Sequence, residues 1–297
     1  MKCFYHRDLD GKCAAAIIFH SQGDDKAPEM IDINYGDIVD LSRVVPEEKI
    51  YIVDFSFKPE VMEDLLKITK DVIWIDHHKT AMEYKYSKEL DGIRDNNFSG
   101  CELTWKYIYP DVPMPTIVKM LGRYDIWDFS KFGNNLNFLQ SGIRLREHGP
   151  ENINWNLWFG EGVLDRDGIL LTSFQVPLLY NLLTQGEIAL KYREIQYASI
   201  IKSISFFAKF EGYKAICCNT GGVSSQLFDS VKDDYDLMIA FVFNGSQWAV
   251  SLYTKRNDID CSEIAKKYGG GGHKQAAGFI TKKLPFKFQY KYKAVLV

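Results

Sequence analysis

Short apolar runs that end on acids restrict the architecture open to this chain more than any other feature. Val72-Ile73-Trp74-Ile75 leads into Asp76-His77-His78, Ile50-Tyr51-Ile52-Val53 leads into Asp54, and Cys3-Phe4-Tyr5 leads into His6-Arg7-Asp8-Leu9-Asp10-Gly11. Such runs read as strands with polar groups at their carboxyl ends. In open parallel α/β sheets the functional crevice lies beyond those ends, so acids carried by distant strands meet in space. A further segment, Leu121-Gly122-Arg123-Tyr124-Asp125-Ile126-Trp127-Asp128, places carboxylates after a helix-like stretch. The first segment alternates His6, Asp8 and Asp10, which an extended chain would project to one side.

The first 130 residues alternate strand-like and helix-like stretches, as βαβ units require. Strands are predicted over 2–5, 31–35, 50–53 and 71–75, and helices over 12–19, 59–70, 99–107 and 115–121. Pro59 at the first turn of its helix, with Leu65, Leu66 and Ile68 inside, fits helix-start chemistry. Residues 150–164, rich in Trp, Asn and Gly, read as a connection, and 188–204 as a long solvated helix. Strands over 214–218, 237–243 and 248–253, with short helices over 226–231 and 261–268, complete a second domain. The expected fold is α/β, a parallel sheet flanked by helices, with a smaller α+β C-terminal domain joined through a helical linker. The expected domains are 1–165 (catalytic), 166–208 (linker) and 209–297 (substrate-binding).

Composition narrows the class. The chain has 297 residues, for which about two domains is the usual expectation. No apolar run approaches the ~18 residues needed to cross a bilayer, and Asp8 and Asp10 precede the apolar run 13–19, the wrong order for a signal peptide. A cytoplasmic protein is expected. The six cysteines form no C-x-x-C pair, which argues against thiolate zinc and for small buried hydrophobes. A net charge of -3 argues against gripping long nucleic acid through a global field.

Near the C-terminus stands Gly269-Gly270-Gly271-Gly272-His273-Lys274-Gln275-Ala276-Ala277-Gly278. Consecutive glycines are costly in backbone entropy and imply unusual dihedrals or close approach of the backbone to something. A phosphate held in a nest of exposed amides, with His273 as an added donor, is the expectation; a flexible turn is the plain alternative. Other residues have plain alternatives too. Asp10 beside Gly11 fits a helix cap, His6 fits a core histidine, and spacing alone does not choose between Asp125 and Asp128. His20 and His148 lack motif context and read as structural or surface groups.

These residues resemble the DHH phosphoesterases, named for the motif standing here as Asp76-His77-His78. His6-x-Asp8-x-Asp10-Gly11, Asp54, Asp76-His77-His78 and Asp125 look like the motifs of the catalytic domain, in order. Gly270-Gly271-Gly272-His273 with Ala276-Ala277-Gly278 looks like the signature of the DHH-associated domain. The first motif has the compact spacing, rather than the longer one of the related inorganic pyrophosphatases. Where many members carry Arg-Ser, this chain has Tyr253-Thr254, with Lys255 and Arg256 just beyond.

The resemblance implies two manganese ions, with Mg²⁺ or Co²⁺ as substitutes: His6 and Asp8 on one, Asp10, His77 and Asp125 on the other, and Asp54 bridging. Carboxylates mixed with imidazole suit Mn²⁺. Asp76 and His78 become the catalytic candidates, Asp76 orienting a histidine and His78 contacting the scissile phosphate or the leaving oxygen. Two metals about 3.5 to 4 Å apart would lower the pKa of a shared water, and that hydroxide would attack phosphorus. Gly270, Gly271, Gly272 and His273 are the expected substrate contacts, completed by domain closure. The implied substrates are short oligonucleotides, dinucleotides or adenosine bisphosphate, with exonuclease-like action. No membrane and no obligate protein partner are expected, although a homodimer is compatible. Two other readings compete: a polyphosphate or pyrophosphate hydrolase, and a nucleotide-binding sensor without catalysis.

Overall fold

The acid-terminated runs form three adjacent strands of a parallel sheet. The computed structural model describes residues 1–291 apart from 24–25, 36, 80 and 161–174, and divides into two compact units, Met1–Leu190 and Lys191–Val297. The expected domain boundary at 165/166 lies outside the described residues. The observed division falls inside one helix rather than at the ends of a separate linker.

In the first unit β1 (Lys2–His6), β2 (Glu29–Ile33), β3 (Ile50–Val53) and β4 (Val72–Ile75) pair in parallel in the order β2-β1-β3-β4. Side chains alternate across it. Cys3, Tyr5, Tyr51, Val53, Ile73 and Ile75 face a core shared with α1 (Leu9–Ser21), α3 (Gly100–Ile108) and α4 (Thr116–Asp125). Phe4, Ile50, Ile52, Val72 and Trp74 face a second core, with Met62, Leu65 and Leu66 of α2 (Pro59–Ile68). Burial on both faces explains why these strands read as unbroken apolar runs. α5 (Asn135–Arg144) and α6 (Asn154–Phe159) add Leu136, Leu139, Ile143, Trp155 and Trp158 to the first core.

Register decides what happens next. Tyr5 pairs with Val53 and Val53 with Ile75, so the adjacent strands β1, β3 and β4 end level. His6, Asp54 and Asp76 therefore stand side by side at the carboxyl edge.

α7 (Gln175–Ile204) passes from one unit to the other, with Leu182 in the first unit's core and Ile201 in a core of the second. The second unit is built on a seven-stranded sheet in the order β11-β5-β6-β7-β8-β10-β9. Its strands are β5 (Phe206–Phe210), β6 (Tyr213–Asn219), β7 (Leu237–Phe243), β8 (Trp248–Tyr253), β9 (Gly271–Gly272), β10 (Ala276–Thr281) and β11 (Lys287–Lys291), with α8 (Cys261–Lys266) packed on them. Among the described residues of this sheet only β6 and β7 pair in parallel.

Several expectations change. α1 begins at Leu9 rather than beside Gly11, because the Asp8 carboxylate accepts from the Gly11 amide at 2.9 Å and caps the helix. Asp10 is thus neither an extended residue nor the cap; helical curvature carries it inward. The stretch 226–231 forms a 3₁₀ turn over Ser225–Phe228 instead of a longer helix. β5 begins within the span expected to be linker, and the connection at 150–164 contains α6. The cysteines are free and buried. Among the described residues no helix is long and apolar enough to cross a membrane.

Candidate active site

Asp54 occupies the centre of the site. It follows β3 in a left-handed conformation (φ 54°), is 1% exposed, and its amide donates to the Ile75 carbonyl at 2.9 Å. Neither carboxylate oxygen has a hydrogen-bond partner of adequate geometry. The His77 Nε2 nonetheless lies 3.1 Å from Oδ1, and the His6 Nδ1 3.6 Å from Oδ2. A left-handed, buried and unsatisfied carboxylate is a costly combination, of the kind that concentrates at functional sites. Gly100, at the start of α3, is required by this approach: a Cβ there would fall 2.4 Å from the Asp54 Cβ.

Two sets of donors flank Asp54. On one side the His6 Nδ1 lies 2.9 Å from Asp8 Oδ2; on the other the His77 Nε2 lies 3.3 Å from Asp125 Oδ2. Ligand-type atoms of His6, Asp8 and Asp54 lie within 4.8 Å of one another, as do those of Asp10, His77 and Asp125. Asp10 is held from α3, where the Ser99 hydroxyl donates to it at 2.8 Å and the Cys101 amide at 3.3 Å. Ser99 also forms a capping box with Glu102, and Arg123 of α4 pairs with Glu102. One network thus anchors Asp10 and the helix that ends in Asp125. Asp128, the alternative to Asp125, is instead bound to Ser130 and Arg123.

A third grouping of donor atoms joins Asp54, Asp76, His77 and His78. Asp76 is already satisfied: it accepts from the His77 and His78 amides, from the His78 Nδ1 at 2.8 Å and from the Ser56 hydroxyl. Ser56 in turn accepts from the Trp74 indole at 2.8 Å. The histidine that Asp76 orients is therefore His78, leaving its Nε2 as the available nitrogen.

The crowding shows in the acidities. Burial, reinforced by the Asp54 charge, pushes Asp10 up to about 7, and burial with the Asp10 charge pushes Asp125 up to about 7. Burial likewise drives Asp54 well above the usual carboxylate range. Burial alone would depress His6, but Asp54 and Asp8 overcome it and raise it to about 11. His78 is raised in the same way by Asp76 against its own burial, and Asp76 is lowered by His78 despite burial. Neither Asp54 oxygen has a hydrogen bond to satisfy it where these groups meet. Carboxylates and imidazoles converging there fit hard or borderline divalent cations.

Three amides of the glycine loop are taken up within the second unit. The Gly269, Gly270 and His273 amides donate to the Lys266, Ala265 and Ala276 carbonyls, and Gly271 and Gly272 pair with β10. The close approach is made by the chain itself, since a Cβ on Gly270 would sit 2.1 Å from the Gly278 carbonyl oxygen. The His273 side chain is exposed. Lys255 pairs with Asp229, and Arg256 with Asp236 and Asp258.

Sequence reasoning missed Ser56, Ser99, Gly100, Asn34 and Tyr35. Asn34 Oδ1 lies 3.3 Å from the His6 Nε2, and the Tyr35 ring packs edge-on against His6 and His78. Only the Ser99-x-x-Glu102 spacing carried a local signal, that of a capping box.

Known proteins resemble this chain in both of its units. The family model described as "DHH family, N-terminal domain" matches residues 3–122, and "DHHA1 domain" matches residues 215–289. An uncharacterized protein, R106, of Acanthamoeba polyphaga mimivirus is 24% identical over 82% of this chain and 56% of its own length, so the chain spans about half of that relative. Oligoribonuclease NrnB of Bacillus subtilis is 24% identical over 93% of this chain and 71% of that protein. Among solved structures, the DHH domain of a member of the s1p family of ribosomal proteins superposes with a TM-score of 0.57 at 14% identity, covering 94% of this chain and 82% of that one. Exonuclease RecJ bound to manganese gives 0.50 at 15% identity, covering 94% and 85%. At these identities the structural likeness concerns the fold alone.

Proposed function

The chain belongs to the DHH family, and from that premise we propose that it is a manganese-dependent phosphoesterase hydrolysing short nucleotide substrates. The observation that carries the reading is Asp54, whose two carboxylate oxygens are buried without partners between His6 and Asp8 on one side and His77, Asp10 and Asp125 on the other. In this reading His6 and Asp8 hold one cation, Asp10, His77 and Asp125 a second, and Asp54 serves both. Divalent cations held there would supply Lewis acidity to a phosphoryl group and would lower the pKa of a water.

The remaining work falls to the chain. Asp76 fixes His78 through Nδ1 and stabilises its charged form, so His78 Nε2 can donate to a phosphoryl or leaving oxygen. Asp76 is then a positioning residue, since its oxygens are engaged by Ser56 and the His77 and His78 amides. The first unit holds the chemistry, and Gly270, Gly271, Gly272 and the exposed His273 of the second remain the proposed substrate contacts. Short nucleotides are favoured by the likeness to a protein named an oligoribonuclease.

The deciding experiment incubates Mn²⁺-loaded protein with dinucleotides, cyclic dinucleotides, adenosine bisphosphate, polyphosphate and longer single strands, and resolves the products. Metal-dependent release of mononucleotides is expected. Cleavage of polyphosphate alone, or binding of nucleotides without turnover, would overturn the reading.

A further inference from the structure

We propose that Trp127 is an aromatic platform on which a nucleobase of the substrate stacks, which makes the preferred substrates base-bearing rather than simple phosphate chains. The inference rests on the phosphoesterase reading and deepens it.

α4 ends in a Schellman turn. The Trp127 amide donates to the Tyr124 carbonyl at 3.1 Å and the Asp128 amide to the Arg123 carbonyl at 2.8 Å, the paired bonds of that motif. The residue between them must adopt a left-handed conformation, and Gly is the usual occupant. Here it is Trp127, at φ 58°. A bulky aromatic in that region is a backbone outlier, and outliers of this kind persist at ligand-binding positions.

Core packing does not explain the choice. Trp127 is 74% exposed, whereas the other tryptophans are buried or half-buried. Tyr124 and Phe129 pack against the hydrophobic core, and Trp127 lies over both: its ring centroid is 5.9 Å from Tyr124 at 28° and 5.6 Å from Phe129 at 32°. Asp128, next in sequence, is pinned by Arg123 and bonded to Ser130. The indole is therefore supported from beneath and anchored on its C-terminal side, with a large surface left to solvent.

Position supplies the ligand. Trp127 lies two residues beyond Asp125, which places their Cα atoms within about 7 Å. Asp125 meets His77 at 3.3 Å in the cluster around Asp54. A phosphate at that cluster puts its attached sugar and base a short distance away, and an exposed aromatic there accepts any base through its π-face.

The test compares wild type with W127G and W127F on the dinucleotide pApA and on an abasic analogue of the same sugar-phosphate length, and follows quenching of tryptophan emission by AMP. W127G is expected to raise KM for pApA about tenfold, the scale set by loss of a base–aromatic stack, with a smaller effect on the abasic analogue, and to abolish AMP quenching. W127F should retain most of the affinity. Because the left-handed slot suits glycine, the thermal midpoint of W127G should not fall, whereas a structural role for the indole predicts that it does. Equal losses on the two substrates, or a pApA KM like that of wild type, overturn the proposal. If wild type cleaves neither substrate but W127G still removes AMP quenching, the platform stands and the phosphoesterase reading falls.

Discussion

Asp54 shows how one side chain sets the electrostatics of the whole site. Burial drives its acidity well away from the usual carboxylate range, and the same carboxylate helps raise His6 beside it. Asp54→Asn is expected to abolish the gain in thermal midpoint that Mn²⁺ gives wild type; a retained gain would remove Asp54 from the metal set. A pH dependence follows from Asp10 and Asp125, both held near about 7 by burial and neighbouring acids. In the unfolded chain they titrate near about 4. Between those values the folded metal-free protein binds more protons than the unfolded chain, so their contribution to stability falls as pH rises. Metal binding needs the ionised carboxylates and strengthens over the same window. Melts with and without Mn²⁺ at about pH 5.5 and about pH 7.5 should show the larger Mn²⁺ gain at the higher pH. Equal gains would mean that neither acid is a ligand.

At the scale of elements, the start of α3 does two jobs. Ser99 caps the helix and donates to Asp10, while Gly100 leaves the space that Asp54 fills. Ser99→Ala should cost about 1–2 kcal/mol in chemical denaturation, as loss of a side-chain cap does, and should weaken Mn²⁺ binding measured by calorimetry. Gly100→Ala forces Asp54 or the helix to move, and is expected to reduce Mn²⁺ affinity more than it lowers stability. The elements legible in the sequence were those with one dominant signal. β3 and β4 are unbroken apolar runs because both faces are buried, and α2 carries proline at its first turn. β5 was hidden by the long helical pattern that runs into it, and β10 by small residues, Ala276-Ala277-Gly278, that fit a loop equally well until neighbouring strands supply their hydrogen bonds. The helix α5 did carry apolar spacing, at Leu136, Leu139 and Ile143, in a stretch otherwise rich in Asn and Gln.

For the molecule as a whole, both units should contribute to turnover in separable ways. Stripping metal with a chelator should eliminate hydrolysis, and add-back should restore most activity with Mn²⁺; a clear preference for Zn²⁺ would contradict the oxygen-rich donor set. His273→Ala should raise KM for a dinucleotide without altering Mn²⁺ affinity, and unchanged kinetics would take the second unit's loop out of substrate handling. Sequence alone determined the class of fold, the residue types of the site and their order along the chain, because hydrophobic runs and strand-end acids are local patterns. Tertiary structure decided where each residue stands and what it touches. Parallel register levelled His6, Asp54 and Asp76; the cap at Asp8 turned Asp10 inward; and β10 paired with the glycines Gly271 and Gly272 at the sheet edge. Those outcomes depend on groups far apart in the chain competing for the same hydrogen bonds and the same space, which no local pattern contains.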